Sequence, residues 1–184
     1  DLSYIKKIYS TDTAFAALRF DGSVIIWGDS TYNTIYINDN TSPSSISIAN
    51  GIGTIPGYTI SGIASTSYAF AAWGTDNAQT PNPVILTWGN VTFGTEDNLF
   101  PTTNPTNSIK QIHATDNAFV AEMYSGTTNT NVNTLITWGT YYNNTANSYT
   151  NIYNTSAYVN NSSNANGTTT PISITNSTIT TTYI

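Results

Sequence analysis

The chain has 184 residues, 8% of them charged, and a formal net charge of −6. Soluble domains average about 25% charged residues, so uncharged polar side chains must cover much of this surface. Four basic residues make no phosphate-binding patch, which excludes nucleic-acid binding. No apolar run approaches the roughly 20 residues of a membrane-spanning helix, which excludes a membrane span. The absence of Cys excludes thiol and disulfide chemistry.

The remaining composition predicts an all-β protein. There are 34 Thr, 24 Asn, 13 Tyr and 21 Ile against 5 Leu. β-branched and aromatic side chains favour strands, and Asn favours turns. One domain fits this length. Because the sequence begins at Asp1, we expect a processed precursor or an excised segment.

The first predicted unit covers residues 5–29. It starts with an Ile-x-x-Ile motif, Ile5 to Ile8, followed by a short A-F-A-A-L strand that contains Phe15. Asp21-Gly22 then supplies the positive φ angles of a tight hairpin turn. An apolar strand follows and ends at Trp27-Gly28. The pattern predicts an antiparallel hairpin.

The same unit recurs over residues 60–90 and 109–140, with longer reversals at 74–83 and 125–133. Together the units define a predicted repeat core: Ile5, Ile8, Phe15, Trp27, Ile60, Ile63, Phe70, Trp88, Ile109, Ile112, Phe119 and Trp138. We expect the Trp residues to pack between sheets rather than to bind a ligand, since each unit has a Trp at the same place. Residues 1–140 therefore form a three-unit β repeat domain.

These motifs resemble the regulator of chromosome condensation type repeat. The match rests on the Ile-x-x-Ile entry, on A-F-A-A-L at 14–18 and on D-G-S-V-I-I-W-G at 21–28, and it is most similar to the divergent form of large repetitive bacterial, algal and viral proteins. The resemblance implies that each unit is a propeller blade, in a family whose propellers usually have about seven blades. The units are then a partial propeller, completed by other subunits, or an open sandwich.

Two departures limit what the resemblance implies about function. Where the family has Gly-x-x-His, this chain has Thr-Asp-Thr at 11–13, Ser-Thr-Ser-Tyr at 65–68 and Thr-Asp-Asn at 115–117. The Gly-Gln-Leu-Gly that follows Trp-Gly in the family is missing. A nucleotide-exchange role therefore cannot be carried over to any residue of this chain.

The C-terminal segment, residues 141–184, is rich in Asn, Thr, Ser and Tyr, and no charged residue follows Glu122. Its last part, 171–184, has the composition of a strand and predicts pairing with a neighbouring subunit by β-strand addition. Folding back onto the chain's own sheet is the alternative. The candidate assembly residues are Ile172, Ile174, Ile179, Tyr183 and Ile184.

Eight Asn residues lie in Asn-x-Ser/Thr sequons and are candidate glycosylation sites if the chain enters a glycosylating pathway. They are Asn40, Asn90, Asn143, Asn154, Asn160, Asn161, Asn166 and Asn176.

The candidates for chemistry are few. His113 is the only His and has no nucleophile motif near it. Glu96 and Asp97 with Glu122 are the available carboxylates for glycoside hydrolysis, but nothing in the sequence makes them converge. The oxygen-rich segments 38–40 and 95–98 leave calcium as an alternative ligand. We predict no catalytic residue, cofactor or metal.

The sequence thus predicts a non-enzymatic structural subunit of an extracellular filament, surface appendage or virion exterior that assembles with copies of itself. The alternative is a binding module that recognises glycan or protein on a cell surface. Aromatic rings outside the repeats, Tyr141, Tyr142, Tyr149, Tyr153 and Tyr158, serve either a sugar surface or a protein interface.

Overall fold

The computed structural model describes residues 4–30, 34–38, 44–47, 52–90, 108–124, 132–143, 148–152 and 157–158. These ranges hold antiparallel strands and no α-helix, which confirms the predicted all-β class. No helix in them is long and apolar enough to cross a membrane. The strands are β1 Ile5–Ser10, β2 Ala14–Arg19, β3 Val24–Gly28, β4 Thr34–Asn38, β5 Ser44–Ser47, β6 Ile52–Thr54, β7 Tyr58–Ser65, β8 Ala69–Asp76, β9 Pro83–Gly89, β10 Ile109–Ala114, β11 Ala118–Tyr124, β12 Val132–Asn143, β13 Ser148–Ile152 and β14 Ala157–Tyr158.

The strands form three sheets, each built on one repeat unit. The first sheet has the order β1-β2-β3-β6, the second β5-β4-β9-β8-β7, and the third β10-β11-β12-β13, with β14 also paired to β12. Strands β13 and β14 extend the third sheet beyond residue 140.

The chain between the first two repeats is shared between two sheets. Strand β6 pairs with β3 of the first sheet, whereas β4 crosses to pair with β9 of the second. The sequence predicts no strand here. Ile35 and Ile37 alternate along β4 and are 0% and 3% exposed, so burial of this apolar side holds β4 in the second sheet.

Each repeat places a Phe directly opposite a Trp on neighbouring strands. The pairs are stacked, with ring centroids 5.4 Å apart for Phe15–Trp27, 5.1 Å for Phe70–Trp88 and 5.2 Å for Phe119–Trp138. Stacked aromatic pairs at such distances stabilise a sheet beyond their buried area. We call the side of each sheet that carries this pair its Phe/Trp face.

The opposite side of the central strand carries small residues and is called here the Ala face. It bears Ala14 and Ala16 in the first sheet, Ala69 and Ala71 in the second, and Ala118 and Val120 in the third. One apolar cluster joins the Ala face of the first sheet to the Phe/Trp face of the second, and another joins the second sheet to the third in the same way. The repeats therefore stack face to face in one direction.

The predicted core residues are not equally buried. Ile60, Ile63, Phe70, Trp88, Ile112, Phe119 and Trp138 are at most 4% exposed. Ile5, Trp27 and Ile109 are half-buried, while Ile8 and Phe15 in the first sheet are 53% and 44% exposed.

The Gly after each Trp is required by the backbone. Gly28, Gly89 and Gly139 have φ angles of 129°, 123° and 111°. A Cβ on Gly28 would lie 2.6 Å from the Ala14 Cα and from the Thr13 carbonyl oxygen. Only Gly tolerates both the conformation and the close approach.

Candidate functional site

One polar surface is built from the same turn of all three repeats. The turns join β1 to β2, β7 to β8 and β10 to β11, and they lie side by side around an open depression of about 340 Å³. We call it the three-turn surface, and its lining residues are Ser10, Thr11, Asp12, Ser65, Thr66, Ser67, Ala114, Thr115 and Asp116.

A Thr at the first position holds each turn in shape. The Oγ1 atoms of Thr11, Thr66 and Thr115 accept hydrogen bonds from the amides three residues later, at 3.1, 2.9 and 3.1 Å. The amide of each Thr also donates to the carbonyl of that later residue, at 2.8 to 2.9 Å. Thr hydroxyls commonly satisfy backbone amides in this way in tight turns.

The last residue of each turn binds the far end of the hairpin. The carbonyls of Thr13, Tyr68 and Asn117 accept hydrogen bonds from the amides that follow the Gly after each Trp, at 3.1, 2.9 and 2.8 Å. The turn and the Trp-Gly end of the unit are thus fixed to each other in all three repeats. The turn before the Phe-bearing strand and the residue after Trp-Gly therefore lie together at the same edge of each sheet.

The middle residues connect the turns across the sheets. The Asp12 amide donates to the Ser67 carbonyl at 3.0 Å, and the Ser67 amide donates to the Asp116 carbonyl at 3.0 Å. This backbone ladder sets the spacing of the turns. The middle side chains of the three-turn surface therefore stand on a preorganised frame.

The surface is polar and acidic. Its lining contains hydroxyl groups and the carboxylates of Asp12 and Asp116, both exposed, and the described lining residues include no Lys or Arg. The whole chain carries −6, so long-range attraction favours cationic groups. Chemically, the surface offers hydrogen-bond acceptors and negative charge on a fixed backbone.

The sequence does not predict this site. Its signal was present as Thr-x-x-Ala at 11–14, 66–69 and 115–118. In the sequence these segments differ from the Gly-x-x-His of the family, and no residue pattern assigns a role to their shared Thr hydroxyl. The hydrogen bonds of the backbone ladder join main-chain atoms, so they leave no pattern in the residue types of the sequence.

The structure does bring His113 and Glu122 together, which the sequence did not predict. The Glu122 Oε2 atom on β11 lies 2.9 Å from the Lys110 Nζ atom on β10. Its Oε1 atom lies 3.2 Å from the His113 Nε2 atom, also on β10. The hydrogen bond from Lys110 lowers the pKa of Glu122, and the same bond raises the pKa of Lys110. These groups satisfy one another on the Ala face of the third sheet, outside the three-turn surface.

Several predicted sites lie outside the described residues. They are Glu96, Asp97, the 95–98 segment, Tyr153, the 171–184 strand with its five assembly residues, and the sequons at Asn40, Asn154, Asn160, Asn161, Asn166 and Asn176. Asn90 is exposed at the end of β9, and Asn143 ends β12. In the described ranges, no group of three or more His, Cys, Asp or Glu could hold a metal ion.

Comparisons with known proteins report likeness in fold. No model of a known protein family matches this chain, and no curated protein does. Among solved structures, human WBSCR16 is 16% identical, with a TM-score of 0.45 over 76% of this chain and 35% of its own. Prp20p from Saccharomyces cerevisiae, described with its binding to Gsp1p and histones, is 19% identical, with a TM-score of 0.42 over 73% and 30%.

Both similar proteins are propellers of the regulator of chromosome condensation type, the type that the repeats resemble. This chain spans about a third of the length of each. At such identity and TM-score the likeness concerns the fold alone, so function must be argued from this chain's own residues.

The comparisons correct one prediction. Both similar proteins are intracellular, which contradicts the expected extracellular or surface location. That expectation was wrong, since low charge and sequons in an Asn- and Thr-rich chain do not specify a compartment. Nothing in the comparisons supports a filament subunit, an adhesin or a glycoprotein.

Proposed function

We propose that this chain is a non-enzymatic protein-binding module and that the three-turn surface contacts a cationic segment of its partner. One observation carries the proposal: three equivalent turns are locked to one another by the Asp12, Ser67 and Asp116 backbone ladder and present their polar groups together. A rigid frame lowers the entropy cost of binding.

Charge determines the class of partner. Asp12 and Asp116 flank Ser67, and none of the lining residues that the structure describes is basic. Lys and Arg side chains suit this arrangement because they can donate to carboxylates, hydroxyls and backbone carbonyls together. Electrostatic complementarity of this kind determines specificity and association rate more than affinity.

The other predicted functions have less support. The Lys110, Glu122 and His113 groups are paired with each other, and we assign them no reaction. No side chain is described for Tyr141, Tyr142, Tyr149, Tyr153 and Tyr158, so the glycan surface stays a prediction. The acidic, polar lining of the three-turn surface is the observation that supports a protein partner.

Titration calorimetry with synthetic peptides tests the proposal. A Lys-rich peptide should bind the wild-type chain, and a Glu-rich peptide of equal length should not. Replacing both Asp12 and Asp116 by Asn should weaken the affinity for the Lys-rich peptide by about tenfold or more, because the charged hydrogen-bond partners of the Lys side chains are lost. Binding should also weaken with added salt.

The matched control replaces Asp21 and Asp76 by Asn. The Asp21 carboxylate is exposed and binds Ser23 in the turn between β2 and β3, and the half-buried Asp76 carboxylate binds Asn82 at the end of β8. The control changes the net charge by the same amount. The control should bind the Lys-rich peptide as the wild type does. Equal loss in both double variants would show only a general charge effect and would refute the assignment of the site.

A further inference from the structure

Among the described residues, no sheet packs on the Phe/Trp face of the first sheet as one does on the equivalent faces of the other two. Ile63 and Phe70 in the second sheet are 4% and 0% exposed because the first sheet packs on them. Their equivalents Ile8 and Phe15 are 53% and 44% exposed. Exposed aromatic and aliphatic residues grouped on a sheet face are typical of an interaction surface.

The opposite end of the stack has the complementary face. Ala118 and Val120 of the third sheet are half-buried, whereas the equivalent Ala69 and Ala71 are fully buried against the third sheet's Phe and Trp. Leu135 beside them is also half-buried. In each internal interface between two sheets, which we call a joint, an Ala face packs on a Phe/Trp face. One chain therefore carries an exposed copy of each of these two faces.

The backbone ladder is open at the same two ends. Ser67 both accepts from Asp12 and donates to Asp116. In the described part of the chain, the Asp12 carbonyl and the Asp116 amide have no such backbone partner. One end offers an acceptor and the other a donor, so they match in the direction of the ladder.

We propose that two copies of this chain associate head to tail, with the Phe/Trp face of the first sheet of one copy packed on the Ala face of the third sheet of the other. The Asp116 amide of one copy then donates to the Asp12 carbonyl of the other. The new joint repeats the geometry of the two internal joints. It does not depend on the proposed binding function.

Two features make this joint weaker than the internal ones. Glu122 stands where the first sheet has Leu18, which is 1% exposed, so its ion pair with Lys110 loses water in the joint. Removing an ion pair from water costs more than burying an apolar side chain. The ladder also places the Asp12 and Asp116 carboxylates on neighbouring turns, and their repulsion weakens as salt increases.

Sedimentation velocity over a range of protein concentrations tests the joint. The wild type should associate reversibly and more strongly at high salt. Glu122→Leu should tighten the association about tenfold or more, because it replaces the ion pair by an apolar contact. Phe15→Ser should abolish association, whereas Phe20→Ser should not, since Phe20 is 73% exposed in the hairpin turn outside this face.

The absence of Cys allows a second test of geometry. Chains with Asp12→Cys mixed with chains with Asp116→Cys should form disulfide-linked pairs, because residues joined by one ladder bond lie within disulfide range. Chains with Ser67→Cys should not cross-link, since both neighbours of Ser67 are in its own chain.

Three results would overturn the proposal. A wild type and a Glu122→Leu variant that both remain monomeric would show that the face is not self-complementary. Association that survives Phe15→Ser would place the interface elsewhere. Association that needs Phe15 but gives no disulfide between positions 12 and 116 would show two first sheets packed face to face. Near-ultraviolet circular dichroism confirms that each variant is folded.

Discussion

The hydroxyl of Thr66 offers a quantitative test of how the turns are held. Its Oγ1 atom accepts hydrogen bonds from the amides of Ala69 at 2.9 Å and Tyr68 at 3.1 Å. Thr66 and Ala69 are 4% and 0% exposed, so water cannot readily replace the hydroxyl. Thr66→Val keeps the shape of the side chain and removes both acceptor contacts.

The expected cost is about 2 kcal/mol, because a buried amide left without an acceptor costs about 1–3 kcal/mol. For a chain of this size that loss lowers the melting temperature by about 4–8 °C. The equivalent Thr115 is exposed, and its bonds to Asn117 and Ala118 are 3.5 and 3.1 Å long. Thr115→Val should cost only about 0.5 kcal/mol, since water can bind the freed amides.

Urea unfolding of the wild type and of the Val variants at positions 11, 66 and 115 gives the comparison. Thr11 is half-buried and should fall between the other two. The order of destabilisation should therefore be Thr66, then Thr11, then Thr115. Equal losses, or a larger loss at Thr115 than at Thr66, would refute the view that burial makes the hydroxyl essential.

The remaining predictions concern backbone, packing and charge. Gly28→Ala should lower the unfolding free energy by about 1–3 kcal/mol more than Gly57→Ala in urea unfolding, since both have positive φ but only Gly28 meets other atoms within 4 Å; equal losses would contradict the close-approach argument. Gly62→Ala places a Cβ against the Trp73 ring, so Trp73→Leu should rescue much of its destabilisation in a double-mutant cycle; additive losses would show no such clash. The lowered pKa of Glu122 contributes stability above the ordinary value of 4.5 that is lost as pH falls through the folded-state pKa, so Glu122→Gln should flatten the acid side of a stability–pH curve; an unchanged curve would rule out the pairing.

Local residue patterns were sufficient to predict the repeated hairpins. Phe15, Phe70 and Phe119 are each followed by a Trp-Gly at the end of the partner strand, and the structure pairs each Phe with that Trp. The sequence also predicts a reversal at Asp21-Gly22 with positive φ angles, but only Gly22 has one, at 82°, because the loop between β2 and β3 spans residues 20–23 rather than two residues. The period-two alternation of apolar residues and the residue types of a turn are properties of neighbouring residues, so a single sequence is enough to predict them.

Relations between the repeats could not be predicted in this way. The crossing of β4 to the second sheet depends on which apolar surface remains open after the hairpins form. The three-turn surface depends on backbone bonds between residues 55 and 49 positions apart, Asp12 to Ser67 and Ser67 to Asp116. Backbone groups are the same at every position, so no pattern of side chains marks such a ladder.

Hydrogen exchange at three amides shows whether the backbone ladder holds the three turns together. We expect the Asp12 and Ser67 amides to exchange about 100-fold or more slowly than free peptide, because each donates to a carbonyl of the neighbouring sheet, although both lie in surface turns. In dilute protein the equivalent Asp116 amide should exchange rapidly, and it should gain protection at concentrations at which copies associate. Equal exchange at all three positions, whether fast or slow, would contradict the ladder and the stack that it connects.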